Sequence, residues 1–213
     1  MAGWMQDYAT DRRSRGYQAR HGAQGYPIGT WAAIPGCVWY QGSGQGGVSV
    51  SGEDAPRVAV LMGSKSDWEA MKPAVDSLEA LGVGCDVRVI SAHRTPERHA
   101  RYVEAAGERG IEIFICGAGF AAHLAGVTAA LTPLPVLGVP LDSSPLDGVD
   151  ALLSTVQMPG GIPVATFGIG KAGAKNAGLF AGAILAGRDP EVRKKLDELR
   201  SQQTAAVPET PYD

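Results

Sequence analysis

A chain of 213 residues with 45% apolar residues and a formal charge of -3 can bury one good core, which suits one α/β domain with a tail rather than two full domains. The charges are spread without a basic block, which argues against a nucleic-acid partner. No apolar run approaches the roughly 18 residues of a membrane span, the N-terminus lacks the apolar stretch of a secretory signal, and the three cysteines Cys37, Cys85 and Cys116 form neither a metal-ligand spacing nor an even disulfide set; a soluble, cytoplasmic protein is expected.

Residues 1–56 hold glycine-rich pieces such as QGSGQGGVSVSG and no sustained period of 3.6 or 2, so they read as a disordered extension. The alternative is a partner-binding arm using Trp4, Trp31 and Trp39. From Arg57 the pattern becomes regular. RVAVLM, CDVRVI, IEIFIC, PVLGVP and PVATF are short apolar runs separated by helix-length intervals, which predicts a parallel sheet covered on both faces.

After the first strand, Trp68, Met71, Val75 and Leu78 recur at helical spacing, with Ser66 and Glu69 as a capping box. Pro73 inside this helix removes a hydrogen bond, and a kink is expected there. TPERHARYVEAAGERG opens with Thr95 as N-cap and Pro96 at the first helical position, then ends at a glycine. GKAGAKNAGLFAGAILAG is nearly uncharged and reads as a helix buried on more than one side, through self-association or close packing within the monomer. DPEVRKKLDELRSQQ repeats the Asp-Pro-Glu opening at Asp189, with Val192, Leu196 and Leu199 on one stripe that packs on a neighbouring subunit.

Two glycine patterns resemble dinucleotide fingerprints: Gly117 to Ala122 after the strand IEIFIC, with Asp142 as a candidate ribose-binding acid, and Gly168, Gly170 and Gly173. Neither explains the polar residues at the ends of the first two strands. MGSKSDW brings Ser64 and Ser66 to the start of a helix, where free N–H groups favour an anion. VISAHRTPER delivers Ser91, His93 and Arg94 at the end of the second strand. In a parallel sheet these loops and GAGFAAHLAG open on one edge and converge in one crevice. An always-charged guanidinium beside two hydroxyls suits a phosphate, and a histidine there suits proton transfer near neutral pH. His99 reads as a solvated helix residue, His21 as part of the extension, and Lys171 as exposed.

Taken in order, VAVLMGSKSDW, VISAHRTPER, GAGFAAHLAG, LPVLGVP, LLSTVQMPGGIPVAT and IGKAGAKNA resemble the class I N5-carboxyaminoimidazole ribonucleotide mutases of de novo purine synthesis, from Arg57 to about Gln203. The resemblance implies a three-layer flavodoxin-like, Rossmann-like α/β domain over residues 57–204 with a tail at 205–213. It also implies a C-terminal helix packing in a homo-octamer, and no metal or organic cofactor. By the same resemblance Ser64, Ser91 and Arg94 hold the ribose 5'-phosphate, Ser66 belongs to that loop, and Asp67 accepts hydrogen bonds from the ribose hydroxyls. His93 carries the proton, and Ala118 and Gly119 of the glycine loop, with His123, hold the migrating carboxylate. The alternatives are a carboxylase fixing free CO2 on aminoimidazole ribonucleotide, a paralogue acting on another carboxylated heterocycle, and a non-enzymatic nucleotide sensor. The chain departs from the family pattern GAGGAAHLPG at Phe120 and Ala125. Phenylalanine at a positive φ is an outlier, and a ring turned toward the crevice is expected to narrow the space for CO2.

Overall fold

The structure, a computed structural model, describes residues 55–211. The N-terminal extension, with Trp4, Trp31, Trp39, His21 and Cys37, lies outside the described residues.

The first strand, β1 (Val58–Met62), is wholly buried and shows why a continuous apolar run is needed here. Val58, Val60 and Met62 point into one apolar layer, while Ala59 and Leu61 point into the other. The alternation repeats in β3 (Ile113–Ala118), where Ile113 and Ile115 enter the first layer and Phe114 and Cys116 the second. A strand whose two faces both meet helices has no position left for a polar residue. With β2 (Cys85–Val89), β4 (Val136–Pro140) and the short β5 (Ala165–Thr166), these strands form one sheet of order β2-β1-β3-β4-β5. Every pairing is parallel, and the order is that of the flavodoxin-like fold.

Among the described residues six helices cover the sheet: α1 (Trp68–Ala80), α2 (Pro96–Glu104), α3 (Leu124–Ala129), α4 (Val149–Val156), α5 (Gly170–Leu185) and α6 (Pro190–Ala205). On one face, Met71, Ala74, Val75 and Leu78 of α1 pack with Ala174, Ala177 and Ala181 of α5 and with Val192 and Leu196 of α6. On the other, Val103 of α2 and Leu124 and Ala125 of α3 fill the second layer. Thr155 of α4 lies on that side too, against Gly138 beside Ala125.

The small residues of α5 serve close approach within the monomer: Gly178 lies directly over the Ala74 carbonyl, where a Cβ would collide. The opposite side of α5 leaves Phe180 and Ile184 exposed. The N-terminal half of α6 packs on the domain's own core, while residues 200–211 are all exposed. Asp189 caps α6 by accepting from the N–H groups of Glu191 and Val192 at 3.1 and 3.2 Å, and Pro190 takes the first position.

Three local expectations are corrected. The capping box forms two residues earlier than Ser66 and Glu69. A 3₁₀ turn at Lys65–Asp67 precedes α1, with Ser64 and Asp67 as the reciprocal pair, because that turn already occupies the first free N–H groups. Helix α2 stops at Glu104, and the glycine end belongs to a second 3₁₀ turn, Gly107–Arg109, closed by Gly110 at φ 84°. His99 is not solvated: it is 1% exposed. Helix α1 runs unbroken through Pro73. No helix of the described residues is long and apolar enough to cross a membrane.

Candidate active site

The carboxyl ends of β1, β2, β3 and β4 open on one edge, and the loops leaving them enclose a crevice of about 480 Å³. Its walls include Ser64, Ser66, Asp67, Ser91, His93, Arg94, Ala118, Gly119 and His123, so the structure brings together the residues that the family resemblance assigns to the site. Asp142 and Lys171 are exposed and do not line it. Gly63, Phe120, Leu124 and Ser143, the last just past β4, also line it. Ser143 was not singled out from sequence, although its position at the same sheet edge was a usable signal.

The β1 loop is tied to itself. Asp67 Oδ2 accepts the Ser64 N–H at 2.9 Å, and Ser64 Oγ accepts the Ser66 hydroxyl at 2.9 Å and its N–H at 3.4 Å. Burial pushes the Asp67 carboxyl above the ordinary carboxylate range, against hydrogen bonds from Ser64 and Ser66 and the charge of Arg94, which act the other way. A half-buried carboxylate whose charge is incompletely compensated favours donors supplied by a ligand, as sugar hydroxyls would be.

The β2 loop turns on Thr95. Its hydroxyl donates to the Ser91 carbonyl at 2.9 Å and accepts the Ser91 N–H at 3.1 Å, which closes the turn presenting His93 and Arg94. Thr95 stands at the N-cap position, yet its side chain makes no cap bond to α2. Arg94 reaches across to β1: its Nη2 donates to the Gly63 carbonyl at 2.6 Å, and its backbone N–H donates to Ser91 Oγ at 3.2 Å. One guanidinium edge is thereby anchored and the exposed remainder faces the crevice, a fork suited to phosphate oxygens.

In the β3 loop, Gly117 and Gly119 answer the dinucleotide question. Gly117 lies within β3, packed under the Met71 side chain, and Gly119 lies against Ser143, so a Cβ at either position would overlap its neighbour. These are packing glycines rather than a pyrophosphate turn opening a helix. Phe120 follows at φ 55°, lines the crevice and is 56% exposed. Its ring therefore turns toward the opening and not into the sheet. His123 precedes α3 and meets His93, with His93 Nε2 and His123 Nδ1 2.9 Å apart and the rings edge to face.

Chemically, the crevice offers an anion fork, hydroxyls, a carboxylate and two imidazoles able to share a proton. Among the described residues no group of three or more His, Cys, Asp or Glu side chains is arranged to hold a metal ion. Cys116 is buried, and burial pushes its thiol up to about 12, so it is inert as a nucleophile.

Residues 57–206 match the family described as AIR carboxylase. The chain is 56% identical over 155 residues to the N5-carboxyaminoimidazole ribonucleotide mutase of Bacillus subtilis, covering 73% of this chain and 96% of that protein. It is 56% identical over 158 residues to the bifunctional purine synthesis protein purC/E of Dictyostelium discoideum, which covers 74% of this chain and only 16% of that longer protein. Among solved structures, Treponema denticola PurE superposes with a TM-score of 0.63 at 27% identity, covering 70% of this chain and 92% of that one.

Proposed function

The chain belongs to the AIR carboxylase family, and on that premise we propose that its strand-end crevice interconverts N5-carboxyaminoimidazole ribonucleotide and 4-carboxy-5-aminoimidazole ribonucleotide. The activity is that of an isomerase in purine biosynthesis, the one named for relatives at 53 to 56% identity. The observation that carries the mechanism is the 2.9 Å contact between His93 and His123 at the mouth of the β2 and β3 loops.

Arg94, Ser64 and Ser91 hold the 5'-phosphate, and Asp67 takes the ribose hydroxyls, which orients the base toward the two histidines. His93, protonated, gives its proton to the exocyclic nitrogen N5. The carbamate C–N bond then breaks, its electron pair staying on nitrogen, and CO2 is released. Ring carbon C4 attacks that CO2, a C–C bond forms, and the C4 proton passes to His93. The proton count balances, so one imidazole cycling between two states completes the turnover. His123, at hydrogen-bond distance, holds or returns the shared proton. The backbone at Ala118 and Gly119 together with His123 retains the migrating carboxylate, while Phe120 limits the volume in which CO2 can wander.

We further propose that the enzyme works in the cytosol as a homo-octamer. The exposed apolar side chains Val149, Leu153 and Val156 of α4 and Phe180 and Ile184 of α5 support assembly, since such groups gain by leaving water. Supplying purified protein with the N5-carboxylated ribonucleotide, and separately with its C4 isomer, tests the function. Interconversion in both directions is expected. Carboxylation of aminoimidazole ribonucleotide by free CO2 without use of the N5 isomer would replace the mutase reading.

A further inference from the structure

His93 lies three residues before α2, and His123 immediately precedes α3, so the spacing of the two imidazoles depends on how α2 and α3 are held against each other. The layer beneath these helices is built largely of apolar side chains, but it also holds a buried polar pair. There His99 of α2, 1% exposed, meets Thr128 of α3, 0% exposed, with Nε2 and Oγ1 2.8 Å apart. Thr128 spends its single hydroxyl proton on the Leu124 carbonyl at 2.8 Å. Its lone pairs therefore accept, and His99 must carry its proton on Nε2. The same oxygen is within 3.6 Å of the Cys116 thiol on β3. One hydroxyl thus joins the helix behind His93, the strand leading into the β3 loop, and the first turn of the helix behind His123. Leu124, whose carbonyl it holds, lines the crevice itself.

A purely apolar contact between two helices is satisfied by a range of small slides, whereas a hydrogen bond between buried groups tolerates little error in distance or angle. We infer that His99, through Thr128, is a positioning residue that sets the His93–His123 spacing; this rests on the proton-carrying role given to His93 above. His99 touches no substrate. It fixes the frame in which the proton carrier works, and a small misplacement of such a group lowers turnover without loosening the ligand.

The test removes both partners at once. Replacing a buried hydrogen-bonded pair by apolar groups of similar shape can leave stability nearly unchanged, so the double variant His99→Leu/Thr128→Val separates positioning from folding. It is expected to keep KM for the ribonucleotide within about twofold while kcat falls about tenfold or more. Its pH–rate profile should also change, because the proton carrier and its imidazole partner are then spaced differently. His99→Gln, which retains an N–H donor, should recover most of kcat. An unchanged kcat and pH profile in the folded double variant would overturn the inference, as would a loss in which His99→Gln fares no better than His99→Leu. Should the double variant not fold, Thr128→Ser against Thr128→Val reads the same quantity: the hydroxyl-bearing variant must hold the higher kcat. His93→Asn measured in parallel separates the two levels. If it is inactive while the double variant is normal, only the positioning role falls; if it is active, the assignment of the site itself falls.

Discussion

His93 and His123 present nitrogens to one another at 2.9 Å with their rings nearly perpendicular, 85° apart. At that distance one nitrogen donates and the other accepts, so a single proton lies between the two facing nitrogens. His93→Asn preserves a polar group near the same place but cannot cycle a proton. It is expected to leave ribonucleotide binding intact and lower turnover at least about a hundredfold, the usual scale of general acid-base catalysis. Steady-state rates with the N5-carboxylated substrate check this, and near-normal turnover would remove His93 from the mechanism.

Arg94 is anchored through the Gly63 carbonyl at 2.6 Å, which leaves the rest of its fork for a phosphate. Arg94→Ala should weaken binding of the ribonucleotide far more than that of the dephosphorylated nucleoside, since a charge-assisted contact is lost only with the former. Calorimetry with both ligands decides it. Equal losses would assign Arg94 to loop architecture alone.

Burial holds the pKa of His99 below that of a free imidazole. Between that lowered value and about 6.5 the unfolded chain binds the proton and the folded chain does not, so stability rises with pH across this window. The contribution is present above about pH 6.5 and is lost as the pH falls through the window. Melting temperatures from pH 7.5 downward should therefore decline more steeply for the parent protein than for His99→Leu/Thr128→Val. Parallel curves would mean that His99 titrates alike in both states.

Phe120 keeps a left-handed backbone at φ 55°, a conformation that favours glycine, while its ring stands over the crevice. Ala125 is the second residue of α3, where a proline removes no intrahelical hydrogen bond. Phe120→Gly with Ala125→Pro relieves the backbone and widens the pocket, and should raise mutase efficiency about tenfold, or roughly 1.4 kcal/mol of transition-state stabilisation. Measuring kcat/KM in both directions checks it. An unchanged value, with the parent already an efficient mutase, would reduce Phe120 to packing.

What the sequence by itself determined is local or periodic. Asp189 caps α6, and Pro190 and Pro96 open α6 and α2, because a cap and a preset φ act between neighbours in the chain. The doubly apolar runs announced β1, β3 and β4, and a parallel sheet then required Ser64, His93, Arg94 and His123 to meet at one edge. The tertiary structure decided what lies opposite each side chain. It moved the capping box to Ser64 and Asp67, brought Ser143 into the crevice, and put the two imidazoles at hydrogen-bond distance. His99 shows the limit most directly. From sequence it reads as solvated, because a histidine reads as polar until a partner is known, although Val103 four residues on is buried with it. That partner, Thr128, is 29 residues away, and only the packing of α3 against α2 supplies the oxygen that makes burial of the imidazole affordable.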